Sequence, residues 1–263
     1  MLIKVEDIIK ILESIAPLSW QEDYDNAGLI IGNPNNEIKG ILICLDVFPS
    51  TVQEAIDNNC NMIISHHPFI FRGLKKLIYN SYTTDILSLS FNNDISIYAS
   101  HTNMDSCSTG VNYMLANVLR LNNLRPLQNI SLQDENYIGS GAIGELLEAM
   151  TGKMFFDLIK KKLNLPYIKY IGNINQEIKT IGICGGAGAS FLQEAINNSC
   201  DCYLTSDIKY HDFLSTEERI LLADIGHFES EQFVLQRFQE IIKNSFPFSN
   251  VIISQQKNKI KFY

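Results

Sequence analysis

The sequence predicts an α/β protein made of two pseudo-symmetric α/β lobes that arose by internal duplication, each built on a β-α-β unit. Residues 37–65 align over residues 177–205 without a gap, with 13 identities in 29 positions, where chance would give about two. Each copy runs from a β-branched segment through a turn and a helix of about ten residues into a second apolar segment. A crossover of this kind joins parallel strands. The repeat therefore predicts two lobes of the same design.

The first lobe begins with an amphipathic helix. Apolar residues recur at helical spacing from Leu2 to Ile15, and Pro17 stops the pattern. Ser50 and Gln53 have the spacing of a capping box and predict the start of the crossover helix. The remaining predicted elements are strands at 41–44, 62–64 and 96–99 and an amphipathic helix at 110–119.

The second lobe repeats this order. Ser190 and Gln193 form the corresponding capping-box pattern. The other predicted elements are strands at 181–184, 202–204 and 220–224 and a helix at 229–243. The stretch 122–136 is rich in Asn and Gln, contains a proline and predicts a loop at the junction. We therefore place the first lobe at 1–125 and the second lobe at 126–263.

Composition restricts the class of protein. The chain has 263 residues, of which 46% are hydrophobic and 19% charged, which excludes disorder, collagen and coiled coil. A net charge of −8 makes nucleic acid an unlikely partner. Acidic residues interrupt the N-terminal apolar pattern, so no export signal is predicted, and no apolar run is long enough for a membrane span. Six cysteines without a C-x-x-C pair predict reduced thiols and a cytoplasmic location.

The histidines are the residues that indicate a site. All five follow predicted strands, and ligands gather outside the carboxyl ends of the strands in open α/β sheets. His101 and His227 each precede a carboxylate by four residues, at Asp105 and Glu231. The alternative for any single histidine is an ordinary loop position. As a set, they predict a metal site.

The adjacent pair His66 and His67 is the sharpest local feature. Neighbouring residues that leave a strand diverge, so the two imidazoles can address different cations, and Pro68 stiffens the segment. Histidine and carboxylate ligands suit Zn, Fe, Mn or Co, and no cluster of cysteines indicates a structural zinc site. On a helix, Glu231 would share a face with His227 and could bridge two cations. The alternative for Glu231 is an acid that complements the helix dipole.

Two weaker candidates lie in the second lobe. The Gly185–Gly188 turn could cradle a phosphate with its backbone amides, but it lacks a P-loop pattern and a plain tight turn is favoured. Asp207 and His211 occupy the position that matches the His66–His67 loop, so they are the candidate catalytic proton carriers. Surface or core hydrogen bonding is the alternative for both.

Several motifs together resemble one known family. They are Asp25–Gly32, Ser65–Pro68, His101–Asp105, Gly139–Glu145, Cys184–Gly188 and Gly226–Glu231. As a set they resemble the GTP cyclohydrolase 1 type 2 homologue family, also called the NGG-interacting-factor-3-like family, over nearly the whole chain.

The resemblance implies a dinuclear metal centre. It implies two divalent cations per chain, held at the positions of His66, His67, Asp105, His227 and Glu231. His101 would then orient a ligand without binding a cation. The resemblance also implies a ring-shaped homohexamer. Some members carry an inserted domain in the middle, for which the repeat spacing of 140 residues leaves no room here.

Three functions remain open. The first is a metal-dependent hydrolase, in which two cations acidify water and polarise a substrate oxygen while Asp207 or His211 moves the proton. By resemblance, its small-molecule substrate would be a nucleotide or another phosphate compound, as in GTP cyclohydrolase chemistry. The second is a non-catalytic metal-handling protein, and the third is a hexameric interaction scaffold.

Overall fold

The computed structural model describes residues 2–131, 138–216, 218–246 and 250–261. It is a mixed α/β structure with two β-sheets. The chain forms two compact units: unit 1 comprises Met1–Met104 and Val234–Lys257, and unit 2 comprises Asp105–Phe233 and Asn258–Tyr263. The predicted division at 125/126 falls inside unit 2, and the chain returns to unit 1 near its C-terminus.

The helices and strands are as follows. The helices are α1 Val5–Ile15, α2 Pro49–Asp57, α3 Tyr82–Asn92, α4 Thr102–Asp105, α5 Val111–Leu119, α6 Gly152–Leu163, α7 Leu192–Asn197, α8 Tyr210–Leu214, α9 His227–Glu231 and α10 Val234–Ser245. The strands are β1 Gly28–Ile31, β2 Ile41–Cys44, β3 Met62–Ser65, β4 Ser96–Ala99, β5 Asn122–Ser131, β6 Ile138–Thr151, β7 Lys169–Ile171, β8 Glu177–Ile183, β9 Cys202–Thr205, β10 Leu221–Asp224 and β11 Val251–Ile253.

The sheet of unit 1 has the order β1-β4-β3-β2-β11. Strands β4, β3, β2 and β11 are parallel, and β1 runs antiparallel at the edge. Both faces of the sheet are covered: Leu42 and Ile63 pack with Val52 of α2 in one core, while Ile41 and Ile43, which point to the other face, are also fully buried. Burial on both faces is typical of parallel sheets.

The sheet of unit 2 has the order β5-β6-β8-β9-β10-β7. Strands β8, β9 and β10 are parallel, whereas β7 and β6 run antiparallel to their neighbours β10 and β8. One face packs against Phe155 and Ile159 of α6. The other face forms a separate core around Tyr203 and Leu222. The carboxyl ends of β8, β9 and β10 therefore meet at one edge of the sheet.

The strongest sequence patterns are confirmed. The predicted strands at 41–44, 62–64, 96–99, 202–204 and 220–224 agree with the observed strands to within one residue, and the N-terminal amphipathic helix is α1. The predicted helix at 110–119 is α5. All six cysteines are free and buried. Among the described residues, no helix is both long and apolar enough to cross a membrane.

Three local predictions are wrong. Residues 122–131 of the predicted loop form β5, and residues 132–136 of it lie outside the described part. The strand lies at the sheet edge, where polar residues and Pro126 are tolerated because one side of an edge strand has no sheet partner. The helix expected at 229–243 is two helices, α9 and α10, which belong to different units.

The third error concerns the capping boxes. Helix α2 begins at Pro49, whose fixed φ suits the first helical position, so Ser50 lies inside the helix. The hydroxyl of Thr51 accepts the Phe48 amide at 3.2 Å instead. In the second copy, Ser190 lies in a 3-10 turn before α7 begins at Leu192.

Candidate metal centre

Three imidazoles of unit 1 form a cluster, here called the imidazole cluster. His66 and His67 follow β3, and His101 follows β4, its parallel neighbour. The ring centroids of these residues lie 4.9–5.4 Å apart, and each ring offers a nitrogen within 4.8 Å of the others. The pairing of β3 with β4 thus brings together histidines that are 34 and 35 positions apart in the sequence.

An oxygen acceptor holds the Nδ1 atom of each ring in the imidazole cluster. The acceptors are the Ser100 carbonyl for His66 (2.9 Å), the Asp46 carboxylate for His67 (2.9 Å) and the Asp25 carboxylate for His101 (2.7 Å). Carbonyl and carboxylate oxygens only accept, so Nδ1 carries the proton. The Nε2 atom of a neutral ring then carries the lone pair that a metal requires, and this arrangement orients histidine ligands in many metal sites.

The buried carboxylate of Asp25 anchors the ring of His101. The side chain of Asp25 has no solvent exposure, and it also accepts the amide and the hydroxyl of Thr102. Burial alone would raise the pKa of Asp25, but the hydrogen bonds from His101 and Thr102 outweigh burial and hold that pKa below its ordinary value. The predicted role of His101 was to orient a ligand. The structure places its ring beside His66 and His67, in the imidazole cluster itself.

Unit 2 contributes the His227–Glu231 pair on α9. Residues four apart share a helix face, and His227 Nε2 lies 3.2 Å from Glu231 Oε2. His227 Nδ1 donates to Asp207 Oδ2 at 2.7 Å, so this imidazole has the same anchored arrangement as the imidazole cluster. Two ligands of one tetrahedral cation with bonds of 2.0–2.1 Å lie about 3.3 Å apart. The observed spacing of the pair therefore fits a shared cation.

The other predicted carboxylate, Asp105, acts together with Glu231 on the thiol of Cys184. Burial raises the pKa of the Cys184 thiol, and the negative charges of Asp105 and Glu231 raise it further. Cys184 directly follows β8. Both carboxylates are therefore close enough to the end of β8 to act on the thiol of Cys184. The side chain of Glu231 is 4% exposed, and nearby positive charge or hydrogen bonds stabilise a carboxylate so deeply buried.

The glycine turn after β8 makes room for Glu231. Gly186 has φ +64, and a Cβ atom at this position would lie 2.2 Å from Glu231 Oε1. The amide of Gly186 donates to the Ser230 hydroxyl at 3.0 Å. The amides of Gly185 and Gly188 also donate to side chains. Because these amides already have acceptors, the turn favours the tight-turn interpretation over a phosphate cradle.

The two candidate proton carriers are placed differently. Asp207 holds the Nδ1 atom of His227, which makes it a residue that orients the imidazole. His211 is exposed on α8, with its ring edge-on to Tyr210 at 5.3 Å. The structure thus brings Asp207 to the His227–Glu231 pair, whereas His211 packs on Tyr210.

Sequence reasoning missed the two aspartates of unit 1. Asp46 follows β2 by two residues and lies at the same sheet edge as His67, so the rule applied to the histidines would have found it. Asp25 precedes β1 in a loop without periodic signal. Only the folded chain brings it to His101, which is 76 residues away.

This fold and these side chains define an α/β protein whose histidine and carboxylate groups could hold a metal ion. Residues 3–259 match the family model described as Duf34/NIF3 (NGG1p interacting factor 3). The chain belongs to the DUF34/NIF3 family, and the family resemblance drawn from the motifs is confirmed.

Relatives support this assignment along the whole chain. A Clostridium perfringens protein named GTP cyclohydrolase 1 type 2 homolog is 36% identical over 247 residues, covering 91% of this chain and 91% of the relative. A Clostridium acetobutylicum protein of the same name is 33% identical over 235 residues, covering 88% of this chain and 86% of the relative. Among solved structures, Staphylococcus aureus protein SA1388 has a TM-score of 0.90 at 30% identity and covers 99% of each chain.

Replacing Gly186 by alanine should weaken binding of divalent cations about 10–100-fold, the usual effect of disturbing a group that supports a ligand. The added methyl group would displace the Glu231 carboxylate. The measurement is an isothermal titration calorimetry experiment with Zn²⁺ or Mn²⁺. Circular dichroism verifies that each variant is folded. Gly73→Ala is the matched control, because among the described residues no heavy atom beyond its chain neighbours lies within 4 Å of the added Cβ. Equal affinities in the two variants would contradict the supporting role of Gly186.

Proposed function

We propose that this chain binds two divalent cations and acts as a metal-dependent hydrolase on a nucleotide or another phosphate-containing small molecule. The proposed ligands are His66, His67, Asp105, His227 and Glu231, and the cations are Zn, Fe, Mn or Co. The observation that carries the proposal is the anchoring of His66, His67 and His227 through Nδ1. This anchoring prepares the opposite nitrogen of each ring for a metal.

The residues within each unit fit such cations. Unit 1 supplies imidazoles whose tautomer is fixed by oxygen acceptors. Unit 2 supplies a third imidazole and the carboxylates of Asp105 and Glu231, which have the negative charge that offsets a dication. Bound divalent cations would acidify water and polarise a phosphoryl or ring oxygen of the substrate. This donor set of nitrogen and oxygen atoms matches the metals named above.

The surrounding residues of the chain orient the ligands and hold protons. Asp46 keeps the Nδ1 proton of His67, and Asp207 keeps that of His227. Asp207 is more than half exposed, so it can exchange a proton with solvent as well as with the ring. We retain Asp207 and His211 as the proposed proton carriers of the reaction.

The assembly and origin of the chain form part of the proposal. We propose a homohexamer, supported by the family resemblance and by the exposed apolar side chains of Leu77, Ile78 and Tyr79. We also propose that both sheets derive from one duplicated β-α-β unit. Ile41 pairs with Met62 in the first sheet, and the residues 140 positions later, Ile181 and Cys202, pair in the second sheet.

The free thiols support a cytoplasmic location.

Purified protein should contain two divalent cations per chain, measured by elemental analysis. Glu231→Gln should lower the occupancy of both cations, because a bridging carboxylate contributes to each. Glu229→Gln on the same helix is the matched control, since the Glu229 carboxylate accepts the Asn258 amide instead. Two cations in Glu231→Gln would reject the bridge, and wild-type protein that binds none after metal loading would reject the metal centre.

Turnover should depend on the added metal in a screen of GTP, other nucleotides and phosphate esters. On the substrate so found and with the metal in saturating excess, because Asp207 also anchors His227, Asp207→Asn and His211→Ala should each reduce kcat about 10²-fold, as expected for general acid–base catalysis. Asp212→Asn is the control, because asparagine retains the hydrogen bond to the Lys209 amide. Unchanged kcat in both variants would remove these residues from the mechanism. Absence of metal-dependent turnover on every compound would favour the metal-handling or scaffold function.

The mass in solution should be about six times that of the 29.8 kDa chain. Light scattering coupled to size-exclusion chromatography measures it directly. Elution as a monomer at micromolar concentration would contradict the hexamer and leave the metal proposal unaffected.

A further inference from the structure

Two exposed aromatic rings adjoin the imidazole cluster in unit 1. The rings of Tyr24 and Phe71 lie 6.2 Å apart with an interplanar angle of 52°. The ring of Phe71 is also edge-on to His101, with centroids 6.1 Å apart. Tyr24 is 65% exposed and Phe71 is 40% exposed. Aromatic side chains grouped beside a few polar groups are typical of the lining of small-molecule sites.

Hydrogen bonds join the two loops that carry these rings. The Asn26 side-chain amide donates to the Ile70 carbonyl at 2.6 Å, which fastens the loop before β1 to the loop after β3. Asp25, between Tyr24 and Asn26, is bound to His101. The segment 24–26 therefore fixes Tyr24 relative to both Phe71 and the imidazole cluster.

Positive charge follows Phe71 in the sequence, whereas Asp23 and Asp25 flank Tyr24. Arg72 directly follows Phe71, and Lys75 and Lys76 follow within four residues. All three side chains are exposed, in a chain whose net charge is −8. A local basic segment in an acidic protein attracts anions to that place. Aromatic rings combined with an arginine are the chemistry that binds a base by stacking and a phosphate by charge.

We propose that Tyr24 and Phe71 form a stacking platform for the nucleobase of a nucleotide, and that Arg72 binds its phosphate. The inference rests on the proposed function for the metal site and names its substrate class. Stacking accepts any base because every base has a π-face. A second copy of the chain fits this surface less well, because the exposed cationic side chains of Arg72, Lys75 and Lys76 follow Phe71.

The platform can be tested on the metal-loaded protein by calorimetric titration with GTP, ATP, CTP and UTP, and with inorganic tripolyphosphate. Phe71→Ala and Tyr24→Ala should each raise the Kd for the nucleotides about tenfold and leave the Kd for tripolyphosphate unchanged. Phe71→Tyr should retain nucleotide affinity. Arg72→Ala should weaken nucleotides and tripolyphosphate alike. Phe91→Ala is the matched control, an exposed aromatic of the same unit on α3, and should bind as the wild type does.

The possible outcomes separate this inference from the metal proposal. Equal nucleotide affinity in Phe71→Ala, Tyr24→Ala and wild type would overturn the platform, as would failure of wild-type protein to bind any of the four nucleotides. A fall in solution mass of these variants with unchanged nucleotide affinity would instead assign the rings to a contact between chains. The metal content should be the same in every variant as in the wild type. Wild-type protein without bound metal would reject the metal centre, and the nucleotide affinities would still decide the platform.

Discussion

The hydrogen bond from the Nδ1 atom of each imidazole to a fixed oxygen is the interaction on which the candidate site depends. It sets the tautomer, stops the ring from rotating and leaves the lone pair on Nε2. His67 and His227 use carboxylates for this purpose, and His66 uses a main-chain carbonyl. These acceptors are in place because they lie at or near the carboxyl ends of parallel strands, whose register within each sheet brings the loops after them to one edge of that sheet.

Negative charge is the second feature of the site. Asp25, Asp46, Asp207 and Glu231 each lie within hydrogen-bond distance of an imidazole nitrogen. A carboxylate buried as deeply as Glu231 costs free energy unless a cation or a protonated group compensates it. The arrangement therefore favours positive charge, such as that of a divalent metal, at these positions.

Backbone geometry supports this chemistry in unit 2. The turn at Gly186 brings the end of β8 against α9 because a glycine leaves room for the Glu231 carboxylate. Ser230 and Ser206 hydroxyls bond to the amide and carbonyl of this same glycine. Membership in the DUF34/NIF3 family accounts for the fold, but the chemistry belongs to these side chains and must be established from them.

The sequence by itself determined the elements with strong local patterns and the histidines at their ends. Helix α1 follows from apolar spacing, and the buried parallel strands follow from short β-branched runs, because burial on both faces leaves a continuous apolar signal. The family and the five proposed ligands also came from the sequence. Tertiary structure alone decided that residues 122–131 form an edge strand and that the expected helix is interrupted between α9 and α10. It also decided that Asp25 anchors His101. Local patterns record which side of an element is apolar, whereas the partner of a polar edge or a loop carboxylate depends on segments far away in the chain.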